Sequence, residues 1–422
     1  MILVPVRVPD TRVRRLSATL YGYAFLSELV LLYPVYALLF SDTGLSVWQI
    51  SSLFVIWAVA SILVEVPSGA LADAVSRRLL LVCGPLLAAA GFALWVLAPS
   101  YWAFATGFVL WGAGNALGSG ALEALVFTEL DRLDAADRYA GVMGRAKAAG
   151  VTAVLLAILL AGPALALGGY PIIGAASVLA CLLAAGVAAR FPEHRPAGPI
   201  GGSPTAPTSG SPADADDPDP GDQGWWASLR GGLAEVRDHP PVRGALLLVP
   251  AVVTIWGALD EYAPLLVRDT GVEPRFVPPL LALIWAGVTV GGLLTGRFER
   301  LGGRGFAVLL VVAATAMAIG SLSGHPAGIA LVALAFGGFQ VASVLADARL
   351  QHRITGPSRA TVTSLAGMAT DVFIIVIYAG YGGVATATGN GPAFALFAVP
   401  YLVIAALLAY PRKRRAHRQR RS

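Results

Sequence analysis

Predominantly apolar stretches, each about twenty residues long, recur along this chain, the first broken only by Glu28 and Pro34, and nothing else in it limits the fold as strictly. A helix rises about 1.5 Å per residue, so roughly 20 residues carry it across the hydrocarbon layer of a bilayer. Stretches of that length are read near 16–40, 46–66, 79–99, 101–126, 142–166 and 170–190. A second set lies near 243–267, 277–297, 305–323, 326–346, 360–386 and 391–410. In hydrocarbon each backbone N–H and C=O must find its partner within the segment, which selects the α-helix. Only 13% of the 422 residues are charged, against about 25% in a soluble domain. The expectation is an all-α integral membrane protein of about twelve transmembrane helices.

The gap between the two sets sharpens this picture. Residues 191–224, rich in Pro, Gly, Ser and Asp, cannot bury enough apolar surface to order themselves and are expected to form a disordered linker. Beyond it, Trp225, Trp226, Leu229, Leu233 and Val236 recur at helical spacing. They predict an amphipathic helix at about 225–239, lying on the membrane surface. The chain then divides into a six-helix half at 1–190, a linker at 191–241, a second six-helix half at 242–410 and a basic tail at 411–422. Two such halves are expected to be pseudo-symmetric about an axis along the membrane normal. Alternating sides from an inward N-terminus leaves only Arg268 and Arg275, of 30 Lys and Arg, in outward loops. That bias places both termini in the cytoplasm of a multi-pass protein of the plasma (inner) membrane. It also explains the net charge of +5 without nucleic acid. The first apolar run is too long for a cleaved leader and lacks a small-residue cleavage site, so it is expected to stay as a span.

Catalytic chemistry finds little purchase. The only lysines are Lys147 and Lys413, neither after a glycine, so no GxxxxGK[ST] phosphate loop exists. All five histidines fall in loops or the tail, which leaves Ser119 of Gly118-Ser119-Gly120 without a base. That small-residue triplet reads instead as a close helix contact. HExxH is absent, and Cys83 and Cys181 sit apart in apolar runs. Neither enzyme activity, metal nor organic cofactor is expected.

What remains is a set of carboxylates inside the slab: Glu28, Glu123, Asp260, Glu261 and Asp371. Each costs at least about 2.5–3.5 kcal/mol to insert, and so needs a partner, a cavity or a proton. Helical spacing groups Glu28 with Tyr21, Phe25, Leu32 and Tyr36, and Asp371 with Thr363, Gly367 and Tyr378. Asp260 and Glu261 follow Trp256 by one turn. Glu123 shares a face with Trp111, Asn115 and Ser119, and Arg145 or Lys147 is placed to reach it. Each acid has a plain alternative as a neutralised or paired structural group.

The connection from Glu65 to Leu79, EVPSGALADAVSRRL, is the most particular stretch. Pro67 is expected to end the incoming helix, Gly69 to let backbones approach, and Asp73 to sit at a helix N-terminus. Its spacing Gly69-x-Leu71-Ala72-Asp73-x-x-x-Arg77-Arg78 resembles the signature loop of the major facilitator superfamily of secondary transporters. Ala74 and Ser76 stand where that family usually has a basic residue and a glycine. The resemblance implies a monomeric carrier that rocks its two halves around a central small-molecule site. It also implies a conformational gate of Glu65, Pro67, Gly69, Asp73, Arg77, Arg78 and Arg145, with Glu65, Glu129 or Asp131 pairing the arginines. Buried acids without buried bases favour export of an amphipathic drug or metabolite driven by the proton gradient. Import or facilitated passage of a polar solute, and a scaffold that moves nothing, are the alternatives.

Overall fold

A computed structural model describes residues 10–194, 240–353 and 359–409. The amphipathic helix expected at 225–239 and the basic tail at 411–422 lie outside the described residues. Fourteen α-helices follow in order among the described residues. In the first half these are α1 Asp10–Glu28, α2 Tyr36–Asp42, α3 Val47–Ala74, α4 Arg77–Leu97, α5 Tyr101–Gly118, α6 Ala121–Arg132 and α7 Tyr139–Ala188. The second half has α8 Pro240–Asp260, α9 Ala263–Asp269, α10 Val277–Phe298, α11 Gly303–Leu322, α12 Gly328–Arg353, α13 Arg359–Thr388 and α14 Asn390–Ala409.

Among the described residues eight helices are long and apolar enough to cross a membrane, and α8 with α9 makes a ninth bent by 53°. Helix α7 lies within the longest candidate and turns back on itself at Gly168 and Gly169, so it makes two passes. The interrupted spans α1–α2 and α5–α6 complete the twelve. We call the end that holds Asp10 the near end and the one that holds Asp42 the far end.

The interruptions are the chief departure from expectation. The first span does not run unbroken from 16 to 40: α1 stops at Glu28 and helix resumes only at Tyr36. Pro34 has no N–H to give and disfavours helix in the residue before it. The freed backbone is not abandoned, since Leu32 N–H donates to Ser177 Oγ at 3.0 Å, and that hydroxyl donates in turn to Ile173 O at 2.8 Å. Gly118-Ser119-Gly120 is likewise a break and not a packing contact. Gly120 has φ +72°, and a methyl group added at Gly118 or Gly120 would meet nothing within 4 Å. True close contacts lie elsewhere: a Cβ on Gly291 of α10 would sit 2.2 Å from Gly337 O of α12.

Two further expectations are corrected at the loop before α4. Pro67 does not end α3, which runs on to Ala74; a proline inside a helix forfeits its own hydrogen bond but need not stop the helix. Asp73 therefore lies in the last turn of α3 and not at a helix N-terminus. The cap of α4 is Ser76, whose Oγ accepts from Leu79 N–H at 3.1 Å. Glu193 joins it, accepting from Ser76 Oγ and from Arg77 N–H at 2.7 Å. Residues 191–194, expected to open the disordered linker, are thus pinned to the near end. Phe191 is buried edge-on against Tyr23, and His194 N–H donates to Glu129 Oε1 at 2.8 Å.

An aromatic core fills the first half. Phe40, Phe54, Phe92, Trp95, Phe104 and Phe108 are all fully buried, with ring centroids mostly 4.4–6 Å apart. Such pairs contribute about 0.5–1.5 kcal/mol each beyond their buried area. Trp95 donates its indole N–H to Phe104 O at 3.1 Å, so the only polar atom of that ring is satisfied.

Candidate functional site

A cavity of about 990 Å³ lies between the two sets of six spans. Its walls come from α1, α4, α5, α6 and α7 on one side and from α10 and α12 on the other. At mid-depth it is aromatic: Tyr33, in the break after α1, stacks on Trp111 at 5.2 Å and 21°. Trp111 stacks further on Trp57 at 5.1 Å. Trp285 faces the cavity from α10. The walls continue through Asn115, Thr289 and Gln340 to Glu123, Met143 and Lys147 toward the near end.

Glu28 is the last residue of α1 and is exposed into this cavity. A helix C-terminus carries partial negative charge and its last carbonyls lack intrahelical donors, so carboxylate and helix end together make an electronegative spot that calls for a cation or a donor. Gly150 of α7 makes the room: a Cβ there would come within 3.3 Å of Glu28 Cγ. Among the described residues neither Glu28 nor Glu123 forms an ion pair. The expected pairing of Glu123 with Arg145 or Lys147 is therefore not made. Arg145 is exposed and does not line the cavity.

The stripe expected beside Glu28 is displaced. Tyr21, Phe25 and Tyr36 do not line the cavity; Tyr23, Ser27 and Tyr33 do. For Tyr36 the reason is the break after Glu28, which ends the helical register that related the two; Tyr21 and Phe25 precede the break in α1 and are half-buried outside the cavity lining. Tyr36 is instead buried and donates its hydroxyl hydrogen to Glu261 across the two halves. Asp260 ends α8 and Glu261 occupies the bend before α9, so each half breaks its first span directly after or at an acid. Trp256, one turn earlier, donates its indole N–H to Ser343 Oγ at 3.0 Å. Tyr378 is buried against Phe54 and Tyr262. None of these four lines the cavity, and neither does Asp371, half-buried on α13.

At the far end the halves are closed on one another. Asp42 Oδ1 meets Arg268 Nη1 at 2.6 Å, and its other oxygen accepts from Tyr170 OH at 2.6 Å. Arg268 also donates to Ser41 Oγ. Tyr262 OH donates to Ser51 Oγ at 2.7 Å in a buried contact. A Cβ on Gly162 of α7 would lie 3.0 Å from Arg275 O, so backbone meets backbone there.

At the near end the signature-loop arginine is occupied within its own half. Arg77 Nη1 donates to Ala124 O at 3.2 Å and Thr128 Oγ1 at 3.0 Å. Glu129, one candidate partner for it, is buried against Arg132 at 3.2 Å and the His194 ring at 3.0 Å instead. Arg78 is exposed. Pro67, Gly69 and Asp73 lie in the final turns of α3.

Lys147 is the functional candidate that helical spacing alone did not single out as a binding group. Its signal was rarity, since it is one of two lysines and the only one inside an apolar run.

Comparison with known proteins bears on this geometry. No curated protein matches the chain. Among solved structures, the nucleoside transporter NupG superposes with a TM-score of 0.73 at 13% identity, covering 94% of this chain and all of its own length. A bacterial homolog of the human lysosomal transporter Spinster, inward-facing and unoccupied, superposes with a TM-score of 0.67 at 18% identity. That match covers 95% of this chain and 96% of the other. The Major Facilitator Superfamily profile matches residues 18–378, and with twelve passes around a central cavity the chain belongs to that superfamily.

Proposed function

We propose that this transporter exports a small amphipathic organic molecule in exchange for protons, by alternating access to the cavity between its halves. One observation carries the reading: a closed far end lies beyond a cavity that holds two carboxylates, Glu28 and Glu123, which form no ion pair among the described residues. A carboxylate in that setting is stable with a proton or with a cationic group of the solute, and exchanging one for the other couples the two movements. The aromatic wall of Tyr33, Trp111 and Trp285 supplies apolar contact to the rest of the molecule.

Sidedness follows the charges. The far end carries Arg268 and Arg275, which pair with Asp42 and Glu273 respectively. The remaining cations of the described residues lie toward the near end. With the near end cytoplasmic, as the positive-inside rule favours, the conformation is inward-facing and the chain resides in the plasma membrane with cytoplasmic termini. The reading takes the chain as a monomer that needs no cofactor, the proton gradient serving as its energy source.

Proteoliposomes with an imposed pH gradient and an internal pH dye test the proposal. Amphipathic amines, zwitterionic ones included, added to wild type should move protons. Glu28→Gln should lower that coupled flux by roughly 10²-fold or more, the scale at which loss of an acid–base group is felt. Solute flux without proton movement would turn the reading to a facilitator.

A further inference from the structure

The cavity holds charge of both signs, and the two signs do not neutralise one another. Lys147 and Glu28 share one wall. Glu28 lies against α7 at Gly150, and Lys147 precedes Gly150 by three residues, so it is a neighbour on the same helix face, about 4.5 Å along the axis. Both line the cavity, both are exposed into it, and among the described residues they form no ion pair with each other or with Glu123. Above them toward mid-depth lies the stacked pair Tyr33 and Trp111.

Closing such a cavity removes water from every charge in it. A buried charge without a partner is costly, and truncated pairs in low dielectric cost several kilocalories. A cationic solute answers Glu28 but leaves Lys147 stranded when the near end closes. A neutral solute answers neither. A solute with an ammonium and an anionic group a few ångströms apart answers both, and a flat ring beside them fills the aromatic wall.

We infer that the solute class is an aromatic zwitterion, its amine held by Glu28, its carboxylate or phosphate by Lys147 and its ring by Tyr33 and Trp111. The inference rests on the reading of this cavity as the transport site, but not on proton coupling or on direction. Glu123, the second carboxylate of the lining, lies outside the bipolar pair and is met by a proton when the cavity closes.

The test is equilibrium binding to the purified full chain, using three probes that share one ring: tryptophan (zwitterion), tryptamine (cation) and indole-3-acetate (anion). Wild type should bind tryptophan about tenfold or more tightly than either singly charged analogue. Lys147→Met should erase the margin over tryptamine while leaving tryptamine itself unaffected. Lys147→Arg should keep the margin and so exclude misfolding as the cause, and Glu28→Gln should erase the margin over indole-3-acetate. Tryptamine binding as tightly as tryptophan, an unchanged ranking in Lys147→Met, or no binding of any probe to folded wild type would overturn the inference. Binding as expected with no proton movement in proteoliposomes would refute proton coupling and leave this inference standing.

Discussion

Tyr36 and Glu261 show how one hydrogen bond can report the state of the whole carrier. The phenol belongs to the first half and the carboxylate to the second, so the bond exists only while the far end is closed. A hydrogen bond to a charged group contributes about 1.5–3 kcal/mol. Tyr36→Phe should therefore shift the balance toward the far-open state by roughly 10- to 150-fold. A cysteine placed at buried Ser51, in a chain whose two native cysteines are replaced by serine, should react faster with an impermeant thiol reagent in that variant. Unchanged reactivity would deny the bond a gating role. At this scale the acids were legible as intramembrane charges, because cost alone singles them out. Their neighbours were not: Tyr36 was grouped with Glu28 by helical spacing, and the break at 29–35 moved it to Glu261. Ser177, which satisfies that break from a different span, carries no mark in the sequence that ties it to Leu32.

Among the helices, two kinds of glycine do different work. Gly120 supplies a left-handed turn in open space, so Gly120→Ala should cost only the backbone term of about 1–2 kcal/mol. Gly291 faces the backbone of α12, and Gly291→Ala would drive a methyl to 2.2 Å from Gly337 O. Overpacking of this sort costs about 1–3 kcal/mol and more when backbone must move. Thermal unfolding in detergent should show the Gly291 variant the less stable of the two; the reverse order would contradict the packing described. The passes themselves were legible in twenty-residue hydropathy, which follows from bilayer thickness. The breaks inside them were not, since glycine and proline within an apolar run mark a bend only when tertiary contacts require it. Pro67 was read as a terminator and α3 continues through it, whereas Pro34 does accompany a break.

At the scale of the molecule, the two halves meet through contacts that are specific but individually modest. Asp42 and Arg268 are 48% and 30% exposed, a setting in which an ion pair contributes about 0–1 kcal/mol. A gate must be breakable, and several such links together hold the far end shut without locking it. The near end is organised differently: Glu193 and His194 tie the start of the linker to the base of the first half. Glu193→Ala with Glu129→Ala, which removes the acceptors of both links, should release it, seen as faster proteolysis near residue 194. Twofold architecture was legible from the two sets of six runs and the polar gap. The cavity's charge pattern was not, because it depends on which faces of α1, α6 and α7 turn inward.

The central claim is that the far end must open for solute to pass. Cysteines at Asp42 and Arg268, joined by a short bifunctional thiol reagent in a chain without its native cysteines, test it most directly. Transport into or out of proteoliposomes should stop on cross-linking and return when the link is cleaved. Transport at the uncross-linked rate with the bridge in place would contradict alternating access through this gate.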